Sequence, residues 1–240
     1  YIRVYEEAAP HSSQPGPVTG AAPTNTILGT NAANVINGTS GHDRIDGKAG
    51  ADTMAGKGGS DTYVVETMGD KVVEYSGQGI DTVFSSLGFR LGAYMENLTL
   101  TGTANVNGTG SNWHNHLTGN DGANALYGLG GNDRLTGGKG ADVLTGGAGH
   151  DTFVFRSKAD AGDRILDFDT AHDRLDVRQL LASIGSTSKD PLADNLLAIR
   201  QEGADAVLMV TQPGTQAVRL ATVEKVDAHL LAATSDHWTV

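Results

Sequence analysis

The sequence contains no cysteine. That excludes a disulfide framework and thiolate metal sites, and it suits a chain that crosses membranes unfolded. Aromatic residues are only 5% of the total, too few for a bulky core. No apolar run reaches the length of a membrane span. Basic residues are scarce as well: Lys and Arg number 17 against 28 Asp and Glu, for a net charge of −11. Neither residues 24–155 nor residues 156–240 are basic on their own, so nucleic acid and anionic membrane surfaces are poor partners. The motifs H-E-x-x-H and G-x-S-x-G do not occur, and no catalytic site is expected within the chain. The chain begins at Tyr1 without Met and reads as a fragment of a longer protein. It is expected to be monomeric.

Glycine is what the sequence does have, 33 of them, and they are periodic. Residues 119–154 read GNDGANALY, GLGGNDRLT, GGKGADVLT and GGAGHDTFV, four nine-residue units of the form G-G-x-G-x-D-x-U-x. U is a large apolar residue: Leu126, Leu135, Leu144 and Phe153. Position six carries Asn124, Asp133, Asp142 and Asp151. Glycines at positions one, two and four permit the positive φ angles of a tight turn. The D-x-U-x that follows suffices for a short strand with one side chain inward. Such a strand cannot bury its apolar residue alone and must stack on copies of itself.

Two units make one coil, so equivalent turns lie 18 residues apart in sequence. Asp133 then lies over Asp151, and Asn124 over Asp142, at about 5 Å. Carboxylates stacked so closely repel unless a cation lies between them. Their oxygens, with the turn carbonyls, form a hard and irregular cage that suits Ca²⁺. The candidate ligands are Asp43, Asp52, Asp61, Asn124, Asp133, Asp142 and Asp151. The turn residues Gly47, Ala49, Gly56, Gly58, Gly128, Gly130, Gly137, Lys139, Gly146 and Ala148 would complete them.

These units resemble the nonapeptides of RTX (repeats-in-toxin, hemolysin-type) proteins, a family of type I-secreted bacterial proteins. The resemblance implies an all-β fold: a right-handed parallel β-roll, or β-solenoid, with a C-terminal β-rich cap. It also implies several bound Ca²⁺ ions, export from a Gram-negative cell by type I secretion machinery, and an extracellular location.

In chain order, residues 1–7 alternate like the last strand of an upstream domain, and residues 8–23 form a Pro/Gly/Ser linker. The string YIRVYE resembles the closing strand of laminarinase-like β-glycanases of glycoside hydrolase family 16, although a generic terminal strand reads equally well. The resemblance implies a polysaccharide-degrading parent. That family's E-x-D-x-x-E motif is absent here.

The β-roll is expected over residues 24–155. Regular repeats occupy 24–64, with Ile27, Ile36, Ile45, Met54 and Tyr63 inward, and 110–154. Residues 65–109 read as irregular coils of the same solenoid with little calcium; a separate β insertion is the alternative. His114 and His116 fall at positions five and seven, where surface histidines are expected rather than metal ligands.

Residues 156–240 are expected to form the cap and the type I secretion signal. Asp163, Asp167, Asp169 and Asp173 lie in a segment resembling those that follow RTX rolls, where they would close the last calcium turn or remain solvated. A short helix is expected over residues 177–184. Three antiparallel strands follow, over 196–200, 206–211 and 217–221. The whole reads as a non-catalytic calcium-binding module that folds on extracellular calcium. A glycan-binding or adhesive solenoid is the alternative.

Overall fold

A computed structural model describes residues 25–212, 214–232 and 238–239. The strand expected over 1–7 and the linker over 8–23 lie outside the described residues. The fold is an all-β solenoid with, among the described residues, two short α-helices, Arg178–Ser183 and Ala228–Ala232, and one 3-10 turn, Lys158–Asp160. No helix among the described residues is long and apolar enough to cross a membrane.

Among the described residues ten strands form the long sheet, and its order follows the chain from Asn25–Leu28 through Asp43–Asp46, Thr62–Val65, Thr82–Ser85 and Asn97–Leu100. It continues through His116–Thr118, Arg134–Thr136, Thr152–Val154 and Arg174–Asp176 to Trp238–Thr239. All its pairings are parallel. Within the regular repeats the partners are 18 residues apart, as in Asn25↔Asp43 and Leu117↔Leu135. The sheet is not broken between the two rolls. Residues 65–109 supply the strands Thr82–Ser85 and Asn97–Leu100 to it, with register steps Tyr63↔Val83, Val83↔Leu98 and Leu98↔Leu117.

The opposite wall is in two pieces. Val35–Asn37, Thr53–Ala55 and Lys71–Val72 form one sheet. A second begins at Phe89–Arg90 and passes through Gly108–Thr109, Ala125–Gly130, Val143–Ala148 and Asp163–Ile165. There it meets the antiparallel strands Val218–Val223, Asp205–Val210 and Leu197–Glu202 of the C-terminal region. Val218–Val223 docks parallel on Asp163–Ile165.

The core is a column of position-eight side chains between the walls. Ile45, Met54, Tyr63, Leu117, Leu126, Leu135, Leu144 and Phe153 are fully buried, and Leu175 continues the row. Ile27, in the first described strand, is only partly covered. Each full burial contributes about 1.5–3 kcal/mol, so an 18-residue coil with two such side chains has little to offset its ordering entropy. The position-six carboxylates then decide whether a coil is stable.

Candidate metal centre

Most turn aspartates lie against the backbone of the preceding coil. Asp133 Oδ1 accepts the Asn115 N–H at 2.7 Å, Asp151 Oδ1 that of Asp133 at 2.8 Å, and Asp173 Oδ1 that of Asp151 at 2.8 Å. On the other wall Asp142 Oδ1 accepts from Asn124, and Asp163 Oδ1 from Asp142. The first roll repeats this: Asp52 accepts from Asn34, Asp70 from Asp52, Asp61 from Asp43 and Asp81 from Asp61. One oxygen of each carboxylate is thus a rung of a ladder, and the turns differ in what happens to the other.

Four turns are closed by the protein itself. At Gly29, Gly38, Gly110 and Gly119, position two is Thr30, Thr39, Ser111 or Asn120. Its N–H donates to the position-six side chain: Thr30 to Asn34 at 2.6 Å, Thr39 to Asp43 at 2.5 Å, Ser111 to Asn115 at 2.6 Å and Asn120 to Asn124 at 2.8 Å. Its own side-chain oxygen accepts the position-four N–H. Burial pushes the Asp43 carboxyl up, but the Thr39 N–H, the Asn25 amide and the Thr39 hydroxyl outweigh it and hold Asp43 below the usual range.

Five turns are open. At Gly47, Gly56, Gly128, Gly137 and Gly146, position two is Lys48, Lys57, Leu129, Gly138 or Gly147, all at positive φ, as are the position-four glycines. The position-two N–H no longer reaches the carboxylate; that of Lys48, for example, turns to Asp46. The Oδ2 atoms of Asp52, Asp61, Asp133, Asp142 and Asp151 are buried with no hydrogen-bond partner. Burial is the main cause of raised carboxyl pKa values here: Asp133 moves to about 8, and Asp142 and Asp151 to about 6. Asp61 is raised likewise. A buried ionised carboxylate costs several kcal/mol unless paired. Orphaned anionic oxygens beside turn carbonyls are what a hard divalent cation needs, so these residues fit calcium.

Position-one glycines are required for a reason other than φ. None of the five is at positive φ. A Cβ on Gly128 would collide with Asp133 Oδ2 and the Gly146 carbonyl, and one on Gly137 or Gly146 with Asp142 or Asp151. Gly47 and Gly56 stand in the same way against Asp52 and Asp61. At position three, Ala49, Lys139 and Ala148 are exposed and Gly58 and Gly130 are half-buried. Lys139 pairs with Asp121 one coil below, at 2.6 Å.

Three of the four aspartates after the roll extend the ladder. Asp163 and Asp173 supply rungs, and Asp167 accepts the N–H groups of Gly146 and Gly147 at 2.9 and 2.8 Å. Asp169 is exposed and bonds to His172. The histidines are not simple surface residues. His114 Nδ1 accepts the Asn132 N–H and His42 Nδ1 that of Ser60, each bridging one coil to the next. His116 has its Nε2 buried, and burial with Arg134 and Arg156 nearby lowers its pKa to about 4, so the ring is neutral. Trp113 packs on Tyr94, with ring centroids 6.1 Å apart.

A parallel solenoid with regularly spaced orphan carboxylates in glycine turns is a calcium-binding β-roll. Residues 28–63 and 118–153 match the RTX calcium-binding nonapeptide repeat (4 copies). The chain therefore carries RTX repeats, and RTX repeats bind calcium ions. No curated protein matches it. Among solved structures it is similar to the AlgE6R2 subunit of the Azotobacter vinelandii mannuronan C5-epimerase, at 28% identity over 68% of this chain and 93% of that one, with a TM-score of 0.41. The AlgE6R3 subunit of the same enzyme is 22% identical over 95% of this chain and 86% of that one, with a TM-score of 0.34. The extracellular lipase LipA of Serratia marcescens is 17% identical over 93% of this chain and 40% of that one, with a TM-score of 0.32.

Proposed function

We propose that the chain is the calcium-folded C-terminal module of a secreted bacterial protein, exported unfolded through type I machinery and folded outside the cell. The observation that carries this is the orphaned, buried Oδ2 atom in each of the five open turns. Those of Asp52, Asp61, Asp133, Asp142 and Asp151 would hold the ions, with backbone carbonyls of Gly47, Ala49, Gly56, Gly58, Gly128, Gly130, Gly137, Lys139, Gly146 and Ala148. Asp43 and Asn124 already have protein donors on their oxygens and hold no ion in this reading. When bound, calcium supplies the positive charge that the stacked carboxylates lack. Extracellular modules of this kind have affinities around 10⁻⁴–10⁻³ M, too weak for loading in the cytosol. Binding outside the cell is then coupled to folding and favours one-way export.

The roll over 24–155 and the cap over 156–240 divide this work. The cap covers the end of the ladder, and we place the export signal in its last residues. Val218–Val223 is a central strand of its sheet, so the signal would be read before folding. A polysaccharide-degrading parent, with polysaccharide as an outside partner, rests on residues 1–7 alone.

A secretion assay on two variants tests the reading. The parent lacking residues 218–240 should accumulate in the cytoplasm. The parent carrying Asp133→Asn and Asp142→Asn should leave the cell and remain protease-sensitive in millimolar calcium. Wild-type export of the truncated protein would overturn the signal. Protease resistance of the wild-type module in chelator would overturn calcium-driven folding.

A further inference from the structure

The solenoid breaks its nine-residue spacing just after Glu74, and the break assembles a second kind of site. Thr53–Ala55 pairs with Lys71–Val72 at the usual 18-residue offset, and the Val73 N–H donates to the Met54 carbonyl. That register sets Glu74 over Gly56, at the position where the repeat has glycine. In a regular turn the aspartate follows five residues later. Here EYSGQGID delays it to Asp81, and the next pairing steps by 20 residues, Thr62↔Thr82. The longer turn accommodates a side chain at position one, and Glu74 points inward.

Its carboxylate meets the Tyr63 hydroxyl, which also accepts the Gly56 N–H at 2.6 Å. One oxygen each from Asp61, Glu74 and Asp81 lies within 4.8 Å of the others. The three residues are 1%, 7% and 1% exposed. Asp61 Oδ2, Glu74 Oε2 and Asp81 Oδ2 have no hydrogen-bond donor. Glu96 adds a fourth acid beside them, accepting the Asp81 N–H at 2.8 Å. No Lys or Arg forms an ion pair with any of the four among the described residues.

We propose that Asp61, Glu74 and Asp81 form an internal calcium site at the junction of the first roll and the irregular coil, with Tyr63 as a positioning residue. The donors are all carboxylate oxygens, which favours a hard cation over zinc or copper. Their span suits an ion with ligands at about 2.3–2.6 Å, wider than the magnesium shell of about 2.0–2.1 Å. Side-chain oxygens here do what a glycine turn does elsewhere, so the site lies outside the repeat pattern. It shares only Asp61 with the open turns and does not depend on the others being loaded.

Glu74→Gln tests it, because Glu74 belongs to no repeat turn. Calcium bound at saturation should fall by about one ion per chain. The variant should melt higher than wild type in chelator, where a buried charge has been removed, and lower than wild type in calcium. Unchanged stoichiometry, or lower stability in chelator as well, would show that Glu74 is only a hydrogen-bonded structural acid and would overturn the site. If Glu74→Gln does not fold, terbium emission excited through tyrosine serves instead. Wild type should emit more strongly than Tyr63→Phe, and equal emission overturns the site. A wild type that does not respond to calcium would fail the general reading, whereas a calcium-folded wild type indistinguishable from Glu74→Gln would fail this one alone.

Discussion

The turns at Gly119 and Gly137 are one coil apart on the same wall and share the same strand register, yet their electrostatics are opposite. At Gly119 the Asn120 side chain folds back on its own turn, and the Asn120 N–H satisfies Asn124. At Gly137 the second and fourth residues, Gly138 and Gly140, are at positive φ, and Asp142 Oδ2 is left buried and bare. A polar residue at position two makes a turn that stabilises itself. Glycine, or a residue tolerated at positive φ, makes one that needs a cation. Both rolls begin with closed turns and continue with open ones, so each ladder starts on a rung that forms without metal.

That difference can be broken most severely at the open turns. Asp133→Asn with Asp142→Asn should raise the calcium midpoint of folding by at least about tenfold, while Asn34→Ala, in a closed turn, should leave it within about twofold. Circular dichroism against free calcium gives both numbers, and equal shifts would erase the distinction between the turns. The reverse experiment converts a closed turn. Asn120→Gly with Asn124→Asp should create an open turn at Gly119 and add about one bound ion, measured as calcium per chain after dialysis.

Acid should separate metal-free from loaded protein. The pKa values of Asp133, Asp142 and Asp151 are raised in the fold, to between about 6 and about 8. Their contribution to the metal-free fold is therefore fully present below the unfolded value near 4 and is lost as pH rises through 6 to 8. In chelator, the protein should retain more β structure at pH 5 than at pH 8. In calcium the order should reverse, because protons compete with the ion for the same oxygens. The smallest effect expected is at Leu129, a leucine at φ 83°. Leu129→Gly should raise the melting free energy in calcium by about 1 kcal/mol, readable in a thermal melt.

The nine-residue period reveals what depends on stacking alone. Leu126 over Leu144 and Leu135 over Phe153 follow from an 18-residue coil, as does the ladder of aspartates. The helix over Arg178–Ser183 and the three late strands also follow from local pattern. What depends on a neighbouring coil was not legible. The glycines at position one look like φ glycines, yet in the open turns they are required because the turn's own carboxylate occupies the space a Cβ would take. The split into open and closed turns has a signal in hindsight, Thr, Ser or Asn at position two, but its consequence lies in hydrogen bonds that a consensus averages away. Glu74 has no local signal at all, because its partners Asp61 and Asp81 are brought to it by register. His116 looked exposed by position, and the half-burial of its ring comes from the packing of the sheet around it.

Anomalous diffraction from a calcium-loaded crystal tests the account most directly. Peaks should lie within about 2.6 Å of Asp52, Asp61, Asp133, Asp142 and Asp151 Oδ2, and none should contact Asp43 Oδ2 or the side-chain oxygens of Asn34 and Asn115. Ions on the closed-turn oxygens, or bare carboxylates in the open turns at saturating calcium, would contradict it.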